Sequence, residues 1–219
     1  MNHDITNEVL AEFSTAFSSN PVNRIAMNAV TSAGLLAASK NPMAQRESRH
    51  SYSISLEQGE ITNQKQSGRC WMFAALNTFR FEVMKNLNLK TFELSQNYTL
   101  FYDKLEKSNY FLESILETLD EPTQGRLISF LLSAPLGDGG QWDMLCNLVR
   151  KYGVVPKEAM PETVASSATR EMTAALTRKL REDACRLRKA YADGSTLDEL
   201  RKKKEAMMEE IYRILCICL

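Results

Sequence analysis

Histidine is nearly missing from this 219-residue chain: His3 and His50 are its two, and none follows residue 50. Cysteine is scarce and scattered, with Cys70, Cys146, Cys185, Cys216 and Cys218 making an odd set of five. That pattern excludes a disulfide framework and fits free thiols in a reducing compartment. The one close pair, Cys216 and Cys218, has no second pair and no histidine near it, so neither zinc nor another metal is expected. A charge of one sign is also absent. Lys+Arg and Asp+Glu both number 27, for a formal net charge of 0. No global field therefore draws the chain to nucleic acid or to an anionic membrane. No run of eighteen apolar residues is present, which excludes a helical membrane span. Residues 1–10 carry Asp4 and Glu8 and no apolar stretch, so they do not read as a secretory signal. The expected location is the cytoplasm, and nothing calls for a cofactor.

What is present is ordinary for a soluble globular protein, with 44% hydrophobic and 25% charged residues. The length suffices for one good-sized domain or two small ones. Val9, Leu10, Phe13 and Phe17 fall at helical spacing, and Ala-rich residues 22–38 read as a second helical stretch after Pro21. Tyr52, Ile54 and Leu56 alternate with serines, the period of a half-buried strand over 51–56. A helix is expected from Cys70 to about Leu87, and another from an N-cap at Ser95 to about Leu119. A short helix over 126–133 and one over 141–152, closed by Gly153, follow. From about Ala168 the chain is charged and broken once, at Ala192-Asp193-Gly194. Thr196 facing Glu199 is a capping pattern, so an antiparallel helical hairpin is expected.

The chemistry concentrates in Gln64-Lys-Gln-Ser-Gly-Arg-Cys70-Trp71. It sets a cysteine in the first turn of a helix, after a loop containing Gly68. Unpaired amides and the positive end of the helix dipole favour thiolate over thiol there. The Cys70 N–H and a loop glutamine can offer two donors to a tetrahedral oxyanion. Gly68 leaves room for a substrate along the backbone, and Trp71 adds an apolar wall. Taken alone, a cysteine at a helix start is more often a buried, inert thiol. Gly139-Gly140, taken alone, is equally a plain turn before a helix.

The whole string TNQKQSGRCWMFAALN resembles the active-site motif of papain-like cysteine peptidases, in their aminopeptidase C and bleomycin hydrolase branch. LSQNY at 94–98, GDGGQW at 137–142 and KYGVVPKEAMPE at 151–162 continue the resemblance, which covers about 51–162. The resemblance implies an α+β fold, mainly helical in this chain. Residues 1–50 would be an N-terminal helical arm, 51–162 the left, helical lobe, and 163–219 a helical hairpin insertion, with the β-rich right lobe missing. It implies Cys70 as nucleophile and Gln64 as oxyanion donor, with Gln66 a competitor less well spaced. It also implies Gly68, Trp71, Gly139 and Gly140 at the substrate. The implied partners are a peptide with a free N-terminus and copies of the chain itself in a homohexamer.

The resemblance also marks a gap. A papain-type mechanism needs a histidine to pair with the thiolate and an asparagine to orient it, both from the second half of the fold. His3 and His50 lie upstream of Cys70, where the family's histidine does not occur. Apolar side chains such as Phe73, Phe79 and Trp142 are expected to lack part of their cover, favouring marginal stability or self-association. The terminal ILCICL has two readings: an interruption of a longer protein, or a last helical turn packed on the core. Two functions compete, a cysteine aminopeptidase and a catalytically inactive homologue that binds peptides or subunits. A third, an interaction module using Arg201–Lys204, stands against a solvated helix face neutralised by Glu205, Glu209 and Glu210.

Overall fold

The computed structural model describes residues 4–48, 51–56 and 59–219. It divides into two units, Met1–Leu56 and Glu57–Leu219. Residues 1–56 contain α1 (Asn7–Ser19), α2 (Pro21–Ala33), α3 (Leu35–Ala38) and α4 (Pro42–Glu47). Asn20 and Asn41 cap α2 and α4 by accepting the N–H of Val22 and Met43, both at 3.0 Å, with proline next in each case. Proline suits that position because its missing N–H would have no helical partner. The helical stretch expected over 22–38 is interrupted at Gly34, whose φ of 81° lies outside the helical region. None of the four helices buries a side chain.

The strand expected over 51–56 does not form. Tyr52, Ile54 and Leu56 are exposed and share no bridge with another segment. Alternation specifies which face a strand would bury, but a strand also requires a partner for its backbone groups. Among the described residues the β pairing amounts to two isolated bridges, Gln66 with Ala168 and Leu94 with Pro156.

The second unit is built around α6 (Gln96–Glu117). Packed on it are α5 (Cys70–Leu87), α7 (Arg126–Ser133), α8 (Trp142–Tyr152), α10 (Arg170–Ala192) and α11 (Leu197–Cys218). Ser95 caps α6, accepting the N–H of Tyr98 at 3.0 Å. On α10, Met172, Leu176, Leu180, Ala184 and Leu187 recur every three or four residues and are all buried. They face Leu100, Leu112 and Ile115 of α6 and Leu200, Ile211 and Leu215 of α11 in one core. Each fully buried leucine there contributes about 1.5–3 kcal/mol of transfer free energy. The hairpin turn is the expected one. Thr196 and Glu199 form a reciprocal capping box at the start of α11.

Phe73 is buried, whereas Trp142 stays exposed. The ILCICL segment continues α11, with Leu215 fully buried and Ile214, Cys218 and Leu219 against the same core. Asn97 reaches the end of that helix, donating to the carbonyls of Pro161 and Leu219 at 2.8 and 3.0 Å. Short α9 (Val164–Ser167) joins the Glu162 region to α10. Among the described residues, no helix is long and apolar enough to cross a membrane. Nor do they hold a group of three or more His, Cys, Asp or Glu side chains able to bind a metal.

Candidate active site

Cys70 is the first residue of α5, an exposed free thiol. Its neighbour Arg69 occupies the N-cap position but gives the helix no side-chain cap. The first backbone bond of α5 is from the Phe73 N–H to the Arg69 carbonyl, at 3.0 Å. The amides ahead of it have no helical acceptor, as at any helix start, so the turn at Cys70 presents donors and the positive end of the dipole.

Arg69 cannot cap, because a guanidinium only donates and the free amides need an acceptor; its guanidinium serves elsewhere. It is fully buried, with Nε on the Ser67 hydroxyl at 2.8 Å and a two-pronged grip on Glu162. Its face lies 5.0 Å from the centre of the Phe73 ring. Ser67 in turn donates to the Gln64 carbonyl at 2.6 Å. Burial alone would push the Glu162 carboxyl up. Arg69 and the Ser166 hydroxyl outweigh it, and the group is held below the usual range.

The loop before Cys70 separates the two glutamines. Lys65, between them, adopts a left-handed φ of 52°, and its N–H donates to the Asn63 side chain at 2.8 Å. Such a φ is uncommon away from glycine and needs local support, which the Asn63 turn supplies. Gln64 is half-buried, and its Oε1 is buried without a hydrogen-bond partner. Gln66 instead pairs its backbone with the end of α9, its N–H donating to the Ser167 carbonyl at 3.0 Å. Its side chain lines an open groove with Thr169, Arg170 and Thr173.

Asp138 joins the two halves of the site. One carboxylate oxygen accepts from the Gly68 N–H at 3.2 Å and from the Thr169 hydroxyl. The other accepts from the ammonium of Lys104, which is fully buried. The Asp138 carbonyl accepts from Trp71 Nε1 at 2.9 Å. Burial pushes this carboxyl up, but Lys104, Thr169 and the Gly68 amide more than compensate and bring it to about 2. It is thus an anion at neutral pH and holds the Gly68–Trp71 segment to the 137–140 loop.

Two glycines are explained by these contacts. A Cβ at Gly68 would lie 2.6 Å from Cβ of Asp138, so the missing side chain makes room for that residue. A Cβ at Gly140 would lie 2.5 Å from the Trp71 ring. At Gly139 the space is open, with nothing within 4 Å. The structure thus brings Gly68, Trp71 and Gly140 into one assembly beside Cys70, with Gly139 on its open side. Arg69, Lys104, Asp138 and Glu162 were not legible as site residues. Only the position of Arg69 beside Cys70, and of Asp138 inside a glycine-rich turn, hinted at them.

A helix-start cysteine beside a tethered, glycine-rich loop, on a helical scaffold, fits the helical half of a papain-like cysteine peptidase. The chain belongs to the Peptidase C1-like family, whose model matches residues 4–219. It is 47% identical over 219 residues to Aminopeptidase C of Listeria monocytogenes, covering 100% of this chain and 49% of that protein. To bleomycin hydrolase of Homo sapiens it is 42% identical over 219 residues, covering 98% of this chain and 48% of the relative. The crystal structure of PepW from Lactobacillus rhamnosis HN001 matches with a TM-score of 0.93 at 46% identity, over 100% of this chain and 49% of that one. The chain spans about half the length of the curated relatives it matches.

Proposed function

We propose that this chain carries the nucleophile side of a cysteine aminopeptidase that removes residues from the free N-terminus of peptides. The observation that carries the reading is Cys70 itself, exposed at the uncapped start of α5, with Gly140 close against the ring of its neighbour Trp71. The Cys70 sulfur would attack the carbonyl carbon of the first peptide bond. The tetrahedral oxyanion would accept from the Cys70 N–H and from the side-chain amide of Gln64. Collapse would break the C–N bond and leave an acyl-enzyme, which water then hydrolyses. Trp71 would wall the site, and Gly68 would let the loop close on Asp138. Gly139 and Gly140 would meet the substrate backbone.

The proton on the leaving amine needs a histidine, and none follows His50 within these 219 residues. That group would come from polypeptide outside this stretch or from another chain, as would the asparagine that orients it. The division into an arm (1–50), a lobe (51–162) and a helical insertion (163–219) belongs to the same reading, as do a cytoplasmic location and a homohexamer. A second reading is a peptide-binding or subunit-binding homologue that does not cleave.

One comparison separates them: fluorophore release from an unblocked aminoacyl substrate by this chain and by its Cys70→Ala variant. Cys70-dependent turnover supports the peptidase, with the base supplied by another group. Substrate binding accompanied by the same background release from both proteins supports the second reading for the isolated chain.

A further inference from the structure

Helix α6 sends two lysines to the loop that bears Gly139 and Gly140, and a carboxylate that holds one of them. Lys104 donates to the Gly137 carbonyl at 2.8 Å and to the Asp138 carboxylate. Lys107, one turn further on, donates to the carbonyls of Gly137 and Gly139 at 3.2 and 2.7 Å and to Asp103 Oδ2 at 2.9 Å. An ammonium has three hydrogens, and these acceptors use them all. The same nitrogen lies 5.4 Å from the centre of the Trp71 ring. The Asp103 side chain is 1% exposed, so the carboxylate cannot turn to water while Lys107 is held. Among the described residues, the Gly140 N–H and carbonyl make no hydrogen bond. The carbonyls on one side of this loop are therefore fixed to the scaffold, and the next peptide unit is left unpaired.

We propose that Lys107 is a positioning residue for peptide binding: it ties the Gly137 and Gly139 carbonyls to α6 so that the Gly140 backbone is offered to an extended substrate, and Asp103 holds Lys107 in place. The inference rests on the reading of this glycine edge as the substrate-binding one. A cation that grips two carbonyls restricts the loop more than either bond alone, and restriction before binding lowers the ordering cost of the complex. The device is also sensitive to pH. Burial is the largest influence on Asp103 and raises it to about 6, against the lowering effect of Lys107 and Lys104 and with a further push upward from Asp138. The groove alongside is lined by Lys107, by Glu106 of the same helix, and by Lys151 and Tyr152 from α8. As pH falls through about 6, Asp103 takes up a proton and Lys107 loses its anionic anchor.

The test compares two reagents on Cys70 of the 219-residue chain: a dipeptidyl vinyl sulfone with a free amine, and iodoacetamide. The first needs the backbone edge; the second does not. The ratio of their second-order rates is expected to fall about tenfold in Lys107→Met and to recover in Lys107→Arg. In the original chain the ratio should decline as pH drops through about 6, and this step should vanish in Asp103→Asn. If Lys107→Met fails to fold by near-UV circular dichroism, the Arg and Asn variants carry the test. An unchanged ratio in folded Lys107→Met, or no recovery with Arg, overturns the proposal. So does a ratio in the original chain, or its pH step, that Asp103→Asn leaves intact. No preference for the peptidyl reagent in the original chain would instead remove the peptide-binding reading, and this inference with it.

Discussion

The guanidinium of Arg69 grips both oxygens of Glu162, Nη1 to Oε1 at 2.9 Å and Nη2 to Oε2 at 2.8 Å. The two residues are 93 positions apart, and their pairing pins the loop before Cys70 to the segment that leads into α10. The arginine is inaccessible to water, so losing its partner would strand a buried charge. Glu162→Ala should therefore lower stability by about 3–5 kcal/mol, read from the urea midpoint. The glutamate is held below its unfolded value of 4.5, so its contribution is present above that pH and is lost as pH falls through the folded value. A loss under about 1 kcal/mol would show that water or Ser67 can replace Glu162.

Asp138 and Asp103 should leave opposite marks on the acid side. Asp138 titrates near 2 when folded against 3.8 unfolded, so its stabilisation is full above about 4 and disappears toward pH 2. Asp103 is raised from 3.8 to about 6, so its contribution is full below about 4 and is lost as pH rises through about 6. Melting temperature against pH should thus lose its slope between about 4 and 6 in Asp103→Asn, and below about 4 in Asp138→Asn. Asp138→Asn should also alter Trp71 emission, since the two share the 137–140 loop. Variant curves parallel to the original in both windows would refute this assignment.

The neighbouring glycines should not behave alike. Gly140→Ala puts a methyl within 2.5 Å of the Trp71 ring, and must displace the indole or the loop. A cost of about 1–3 kcal/mol is expected, with a change in tryptophan fluorescence. Gly139→Ala meets nothing within 4 Å and should fold normally. A peptide-binding defect in Gly139→Ala at unchanged stability would locate the substrate on that open side. Equal melting temperatures for the two variants would contradict the close approach of Gly140 to Trp71.

Cys70 should be the most reactive thiol of the chain. Cys185 and Cys216 are exposed as well, so accessibility does not distinguish the three. Position does, because both of the others lie inside helices whose amides are already bonded. Peptide mapping after brief iodoacetamide treatment near pH 6 should find Cys70 modified first. Equal modification of the three would count against a preformed site.

Local chemistry is legible along the chain without any fold. Ser95, Thr196 with Glu199, and Gly153 mark helix ends through bonds to residues three or four positions away, so a linear reading finds them. The apolar spacing of Leu176, Leu180 and Leu187 fixes which face of α10 is buried, because helical periodicity is a property of one segment. Cys70 at a helix start is visible for the same reason.

Whatever depends on two distant segments meeting waits for the folded chain. The strand expected over 51–56 illustrates it: the alternation is real, but no partner segment among the described residues bridges to it. Asp138 reads as a turn residue until folding brings it against Gly68, Lys104 and Thr169, which lie 70, 34 and 31 positions away. Lys107 reads as a surface lysine, and Arg69 as loop charge. Their roles arise because burial strips water from ionised groups and makes each seek an opposite charge or a carbonyl wherever the fold supplies one. Sequence placed Cys70 at a helix start, and only the fold could assemble the charged framework around it.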